Sequence, residues 1–310
     1  MSAQAEAGRD PEVVILGAGP AGLSAALNLV RAHRRVLVVD SNRPRNAATL
    51  AAHGFLTRDG ISPLELRALG RKEFEAYPDA RFMSGIAESV RVEAEGIVVT
   101  VRGQRGSEDR TLTVPAVVIA TGLTETMPAI PSIRAYYGTH LHSCIQCDAY
   151  EKSHKPIALI GETDDLAERA LLLSQYSEHL TVFTCGADVV TADEEAALAR
   201  RGIRVERRPI DDIVGEKATM TGIRLADDEV IACTGGFVRP HWEPSVAFLE
   251  GVGVRRGSEG YLETDADGRT GVPGLYAAGD VTRGPQQLIV AAGEGALVAA
   301  AVNRDRLGSL

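Results

Sequence analysis

Residues 17–22 read GAGPAG, after the apolar run PEVVIL and before the apolar stretch LSAALNLV. A G-x-G-x-x-G between a buried strand and a helix leaves few alternatives for the chain around it. Gly17 permits the tight turn, Gly19 lets a pyrophosphate approach the backbone, and Gly22 lets the helix pack closely on the strand. The phosphates then sit at the helix N-terminus, around Pro20 and Ala21, where free N–H groups and the helix dipole favour anions. The next strand, RRVLVVD, ends at Asp40, near the usual spacing for a carboxylate that grips ribose hydroxyls, and Ser41 follows it. An acid there disfavours a 2′-phosphate, so the ligand is expected to be FAD or NAD rather than NADP.

At 310 residues the chain is long enough for about two domains. Its 33 basic and 42 acidic residues give a net charge of −9, which argues against nucleic acid or an anionic membrane as the main partner. No apolar run approaches the roughly 20 residues of a membrane span, and MSAQAEAGRDPE has no signal-peptide character. A cytoplasmic protein with a loose arm over 1–11 is expected. The segment SPLELRALGRKEFEAY predicts an amphipathic helix, and RFMSGIAESVRVE, GIVVTVRG and RTLTVPAVVIATG predict antiparallel strands returning to the sheet. KPIALIGE, DDLAERALLLSQYS and HLTVFTCG repeat the strand–helix–strand pattern.

Residues 140–148 read HLHSCIQCD. Four cysteines in a chain of this length do not make a disulfide framework, whereas a C-x-x-C closes a small ring and permits a low-pKa thiolate. Thiol–disulfide exchange by Cys144 and Cys147 is the first reading, with Asp148 placed to move protons. His142 either helps activate a cysteine or is simply solvated. Zinc is the alternative, because His140 and His142 stand beside the cysteines, but structural zinc sites space their ligand pairs by a dozen or more residues. No metal site is expected. A pair of ordinary buried thiols is the third reading. Cys185 and Cys233 lie in apolar strand contexts and read as buried, inert thiols.

VVIATG (117–122) and GLYAAGD (274–280) are similar to paired motifs of FAD-dependent disulfide reductases, and they select FAD. The likeness implies that Ala120, Thr121, Gly122, Gly279 and Asp280 meet the cofactor, with Asp280 on the ribityl chain. A helix from about Gln286, with Gln287, would aim its N-terminus at the flavin, where reduced flavin carries negative charge. Together, GAGPAG, VVIATG, CIQCD and GLYAAGD resemble the low-molecular-weight thioredoxin reductase family over nearly the whole chain. The resemblance implies an α/β fold of two Rossmann-like, three-layer ββα nucleotide-binding domains and a homodimer. The FAD domain (1–122 and 239–310) would be split by an inserted pyridine-nucleotide-type domain (123–238) carrying the cysteines. Cys147 would face the flavin, Cys144 would exchange with substrate, and Asp148 would be the acid/base.

The departures are equally informative. The second glycine loop reads GETDDLAERA, where only Gly161 survives of G-x-G-x-x-A; Thr163 and Leu166 take the other small positions. Asp164 and Asp165 are expected at the helix N-terminus, where each would repel a pyrophosphate by about 1 kcal/mol or more. VFTCGADVV, where the family has a basic cluster for the 2′-phosphate, has no cation. The inserted domain is therefore expected to be degenerate and NADPH unused. RNAATLAAHGFLTRDG (45–60) resembles the gliotoxin- and holomycin-type dithiol oxidases instead. That puts Arg45, Asn46 and His53 at the flavin, and makes His53 and Phe55 candidates for lining the substrate cavity. Those relatives oxidise a small-molecule dithiol and pass electrons through FAD to O₂, although they commonly place His where this chain has Asp148. The rival expectations are a reductase of a thioredoxin-like protein or other disulfide, fed by NADPH or ferredoxin, and a flavin redox sensor without turnover.

Overall fold

The computed structural model describes residues 10–216 and 219–308. The arm read at 1–11 falls almost wholly outside them. In chain order the first elements are β1 (Val13–Leu16), α1 (Pro20–Arg31), β2 (Val36–Asp40), a 3-10 turn at Arg45–Ala48, α2 (Pro63–Glu75), β3 (Ala80–Glu93), β4 (Gly96–Gly103), β5 (Arg110–Val114) and β6 (Ala116–Ile119). There follow β7 (Leu123–Thr126), α3 (Ile133–Tyr136), β8 (Leu141–His142), α4 (Ile145–Asp148), β9 (Ile157–Gly161), α5 (Leu166–Leu173), β10 (Leu180–Phe183), α6 (Ala192–Ala199) and β11 (Arg204–Glu206). The chain closes with β12 (Ile210–Glu216), β13 (Thr219–Leu225), β14 (Val230–Ala232), β15 (Gly235–Arg239), β16 (His241–Pro244), β17 (Leu275–Ala277) and α7 (Leu288–Leu307).

Two sheets follow from two sets of apolar strands. The first has the order β17-β6-β1-β2-β3-β4-β5. Its strands from β17 to β3 are parallel, and β1, β2 and β6 are buried on both faces, as a parallel sheet covered on both sides requires. Val13, Ile15, Val36 and Val38 pack under α1 and α7, while Val14, Leu16, Leu37 and Val39 pack toward β4 and β5. β3 differs from the purely antiparallel strand expected. Ala80–Ser84 pair parallel with β2, and from Gly85 onward the same strand pairs antiparallel with β4.

The second sheet, β11-β10-β9-β15-β8, is parallel throughout. One face carries Ile157, Leu159 and Phe237 against α5 and α6; the other carries Ala158, Ile160 and Val238 against β12–β14. Both units are thus three-layer ββα arrangements, joined where β7 and β16 pair antiparallel, with Trp242 opposite Glu125. Among the described residues no helix is long and apolar enough to cross a membrane.

α1 and α7 touch through small residues, because a Cβ on Gly295 would collide with the carbonyl of Ala21. Both helices start at the same cavity, so their spacing sets its shape. Gly295→Ala is expected to push them apart at a cost of about 1–3 kcal/mol, read as a lower urea midpoint together with weaker flavin retention.

Candidate functional site

The two sheets meet over a cavity of about 650 Å³. From the first glycine loop it is lined by Gly17, Gly19, Pro20 and Ala21, and from the strand end by Asp40 and Ser41. Arg45, Asn46 and His53 line it from the 45–60 segment, and Ala120, Thr121 and Gly122 from the end of β6. Gly279, Asp280, Gln286 and Gln287 complete it before α7. Gly22 lies outside the lining for the reason its position implies: a Cβ there would strike the carbonyl of Gly17. Gly17 itself has φ +105°, open to glycine alone at low cost. Phe55 does not reach the cavity.

This cavity fits a flavin dinucleotide. The Cβ direction of Gly19 is open, and neither α1 nor α7 has a side chain capping its N-terminus. Neither helix has an acid in its first turn. The Thr121 hydroxyl and the Gln286 carbonyl oxygen are buried in the wall without a hydrogen-bond partner. Two carboxylates expected to grip sugars are held by the protein. Asp40 accepts from the Ala18 and Asn42 N–H groups at 2.9 Å each and from Arg67 at 2.8 Å. Asp280 accepts from Arg45 at 2.7 Å. Each therefore also shapes its loop, a role that spacing alone does not reveal.

Cys144 and Cys147 are joined as a disulfide, and both line the same cavity, as does Asp148. α4 is a single turn that starts immediately after Cys144, which places the two sulfurs within bonding reach. His142 sits behind this layer. Its Nε2 lies 3.0 Å from the Thr139 carbonyl oxygen, which only accepts, so Nε2 carries the hydrogen. Nδ1 then faces Asp148 Oδ1 at 3.0 Å, out of line for a good hydrogen bond. Both groups are buried, and the two facing atoms are acceptors that only an added proton could join. His53 spans the rim, 3.5 Å from Asp59 and 3.7 Å from Glu151.

The structure adds a group that the motifs did not indicate. Glu125 is 10% exposed and collects Arg45 at 3.3 Å, the Trp242 N–H at 2.9 Å and the Tyr137 hydroxyl at 2.9 Å. Ser143 Oγ lies 2.8 Å from that hydroxyl and adjoins Cys144. Burial, reinforced by Glu125, pushes the Tyr137 phenol above its usual range. Burial draws Arg45 down, but Asp280 and Glu125 more than offset it and the net shift is upward.

A family model for pyridine nucleotide-disulphide oxidoreductases matches residues 11–295. The chain belongs to this family. A thioredoxin reductase from Treponema pallidum is 29% identical over 94% of the chain and 95% of its own length. The crystal structure of HlmI superposes with a TM-score of 0.89 at 36% identity, covering 96% of this chain and 93% of HlmI. An oxidoreductase from Agrobacterium tumefaciens gives 0.87 at 33%, covering 96% and 99%. This pyridine nucleotide-disulphide oxidoreductase is thus an FAD-binding enzyme acting on sulfur groups, with the thioredoxin reductase-like fold and a disulfide-forming cysteine pair.

The second glycine loop of this oxidoreductase differs from the expectation in one respect. Asp164 is exposed, but Asp165 is not left to repel: it accepts from Thr163 at 2.6 Å and from Arg239 at 2.8 Å, with Arg169 3.9 Å away. Burial opposes its ionisation, yet Thr163 and Arg239 hold its pKa below the ordinary value. Leu166 and Arg239 fill the space that a small residue would leave beside Gly161. Arg207, which reaches the 185–190 loop, is also taken: it binds Glu195 at 2.8 Å and Asp188 at 3.2 Å.

Glu294 accepts from the Gly279 N–H at 2.6 Å beside the flavin cavity. Burial raises its pKa, and Asp280 adds to the shift. A carboxyl raised in the folded state keeps its proton longer there than in the unfolded chain, so stability falls as pH rises between the two values. Glu294→Gln keeps the acceptor and removes the charge. It is expected to raise the thermal midpoint at pH 8 and to leave it nearly unchanged at pH 4.

Proposed function

We propose that the enzyme oxidises a small-molecule dithiol to its disulfide through Cys144–Cys147, with electrons passing by way of FAD to O₂ and without NADPH. One observation carries this reading. The redox disulfide shares a cavity with an intact flavin cradle, while Leu166, Asp165 and Arg239 occupy the second nucleotide loop. The 45–60 segment that resembles dithiol oxidases lines that cavity, and the identity to HlmI supports the same branch.

A substrate thiolate attacks Sγ of Cys144, the 144–147 bond breaks, and Cys147 leaves as a thiolate. The second substrate thiol attacks the substrate sulfur of the mixed disulfide, closing the substrate disulfide and freeing Cys144. Asp148 handles the protons of the departing thiols, and His142 shares the proton it holds. Bound FAD supplies the two-electron carrier between the cysteine pair and O₂, with H₂O₂ as the balancing product. A homodimer in a reducing cytosol belongs to the same reading, as do domain limits at 122/123 and 238/239, beside the β7–β16 ribbon.

The second reading is a thioredoxin-type reductase, fed by NADPH or ferredoxin and reducing a thioredoxin-like protein. The match to the Treponema pallidum enzyme and the presence of Asp148 favour it. Anaerobic stopped-flow separates the two. The oxidase reading expects the 450 nm flavin band to bleach with excess dithiol, to stay with NADPH or NADH, and to return on admitting air. Rapid bleaching by NADPH would sink it. Loss of dithiol turnover in Cys144→Ser would exclude a sensor without turnover.

Asp148→Asn is expected to slow the dithiol half-reaction by about 10²–10⁴-fold. His142→Ala should lose less and displace the pH–rate profile, and the double variant should be no slower than Asp148→Asn alone. Additive losses in single-turnover rates would contradict the shared proton.

A further inference from the structure

Helix α5 follows the second glycine loop, and in a nucleotide-binding unit its first turn would face a pyrophosphate. Here a side chain from α5 reaches the residue before Cys144 instead. Arg169 reaches from α5 to donate from Nη2 to the Ser143 carbonyl at 2.8 Å, one residue before Cys144. The side chain is 15% exposed. Its Nε is buried without a hydrogen-bond partner, so the guanidinium is not placed to satisfy its own donors. It is held by Asp165 at 3.9 Å and by Trp242, with the ring centroid 5.8 Å away; Arg239, a like charge, stacks on the same ring at 4.1 Å and fixes Asp165 at 2.8 Å. Burial draws its pKa down and Arg239 adds to that, against the opposing pull of Asp165 and, more weakly, Glu168.

We propose that the degenerate loop and α5 serve the disulfide instead of a second nucleotide. Asp165, itself fixed by Arg239, and Trp242 hold Arg169 as a positioning residue that braces the Ser143 carbonyl and keeps a fixed positive charge next to the segment that carries the redox pair. An arginine stays ionised under all working conditions and is fixed in direction by its planar fork. A cation beside a dithiol stabilises its thiolate form, and stabilising the reduced form makes the disulfide the stronger oxidant. In reduction the 144–147 bond takes two electrons and two protons from a donor dithiol, which becomes a disulfide. Arg169 shifts that exchange toward the reduced pair. The inference rests on the cysteine pair being redox-active and is independent of the direction of electron flow in turnover.

The test equilibrates the holoenzyme anaerobically with mixtures of reduced and oxidised dithiothreitol, quenches with acid, alkylates, and weighs the chain to score the 144–147 pair. Arg169→Ala and Arg169→Gln are expected to make the pair at least tenfold harder to reduce, about 30 mV more negative. Arg169→Lys should remain within threefold of wild type. Arg169→Gln is close to isosteric and covers the case in which the alanine variant does not fold. Equilibria unchanged in Arg169→Gln, at wild-type flavin content, would overturn the proposal. So would a lysine variant displaced as far as alanine, since the effect would then come from lost packing. Neither O₂ nor a nicotinamide enters the measurement, so its outcome is separate from that of the oxidase reading.

Discussion

A carboxylate that is removed from water loses several kcal/mol of hydration, which only well-placed donors restore. Glu125 meets that condition with partners drawn from distant parts of the chain: Arg45 from the 3-10 turn after β2, Trp242 from β16, and Tyr137 after α3. The charge is balanced further out, since Arg45 continues to Asp280 at 2.7 Å. The relation between the flavin cradle and the disulfide depends on this one buried charge. Removing either partner of such a pair leaves an uncompensated charge, typically a loss of 3–5 kcal/mol. The wall of the cofactor cavity that carries Ser143 and Cys144 is therefore held electrostatically where an apolar wall would have no preferred register.

The four cysteines show what environment does to one side chain. Cys233 is buried and Cys185 half-buried, and burial pushes each thiol up to about 12, aided at Cys185 by Glu162. Neither is a thiolate at working pH, so neither exchanges. Cys144 and Cys147 are set against a solvent-reached cavity, next to a His–Asp pair and a guanidinium. Reactivity thus follows placement, and the C-x-x-C spacing supplies only the possibility of a ring.

Much of this was legible because dinucleotide chemistry is local. GAGPAG needs one strand, one turn and one helix, and its glycines behave as their positions require; the C-x-x-C and the GLYAAGD strand are equally short-range. The mixed pairing of β3 is not legible, because a change from parallel to antiparallel pairing at Gly85 is set by neighbouring strands and leaves no mark on apolar periodicity. Glu125, Tyr137 and Trp242 form no local motif, because each acquires its meaning from a residue outside its own segment. The lone tryptophan was the available signal, since an indole in a polar HWEP strand needs a partner for its N–H. Asp165 was read as repulsive for the same reason: its counter-charge, Arg239, comes from β15, after the second sheet is otherwise complete.

The pairing of β17 with β6 carries a consequence for biogenesis. Every strand of the second sheet lies between β8 and β15, so that unit is self-contained and can form as soon as it leaves the ribosome. The first sheet lacks its β17 edge, and its apolar face lacks α7, until the C-terminal segment is synthesised. During that interval Val13, Ile15 and Val118 have one cover missing. The cysteine-bearing unit can consequently assemble before the cofactor cradle closes, with its dithiol complete before there is a flavin for it to answer to.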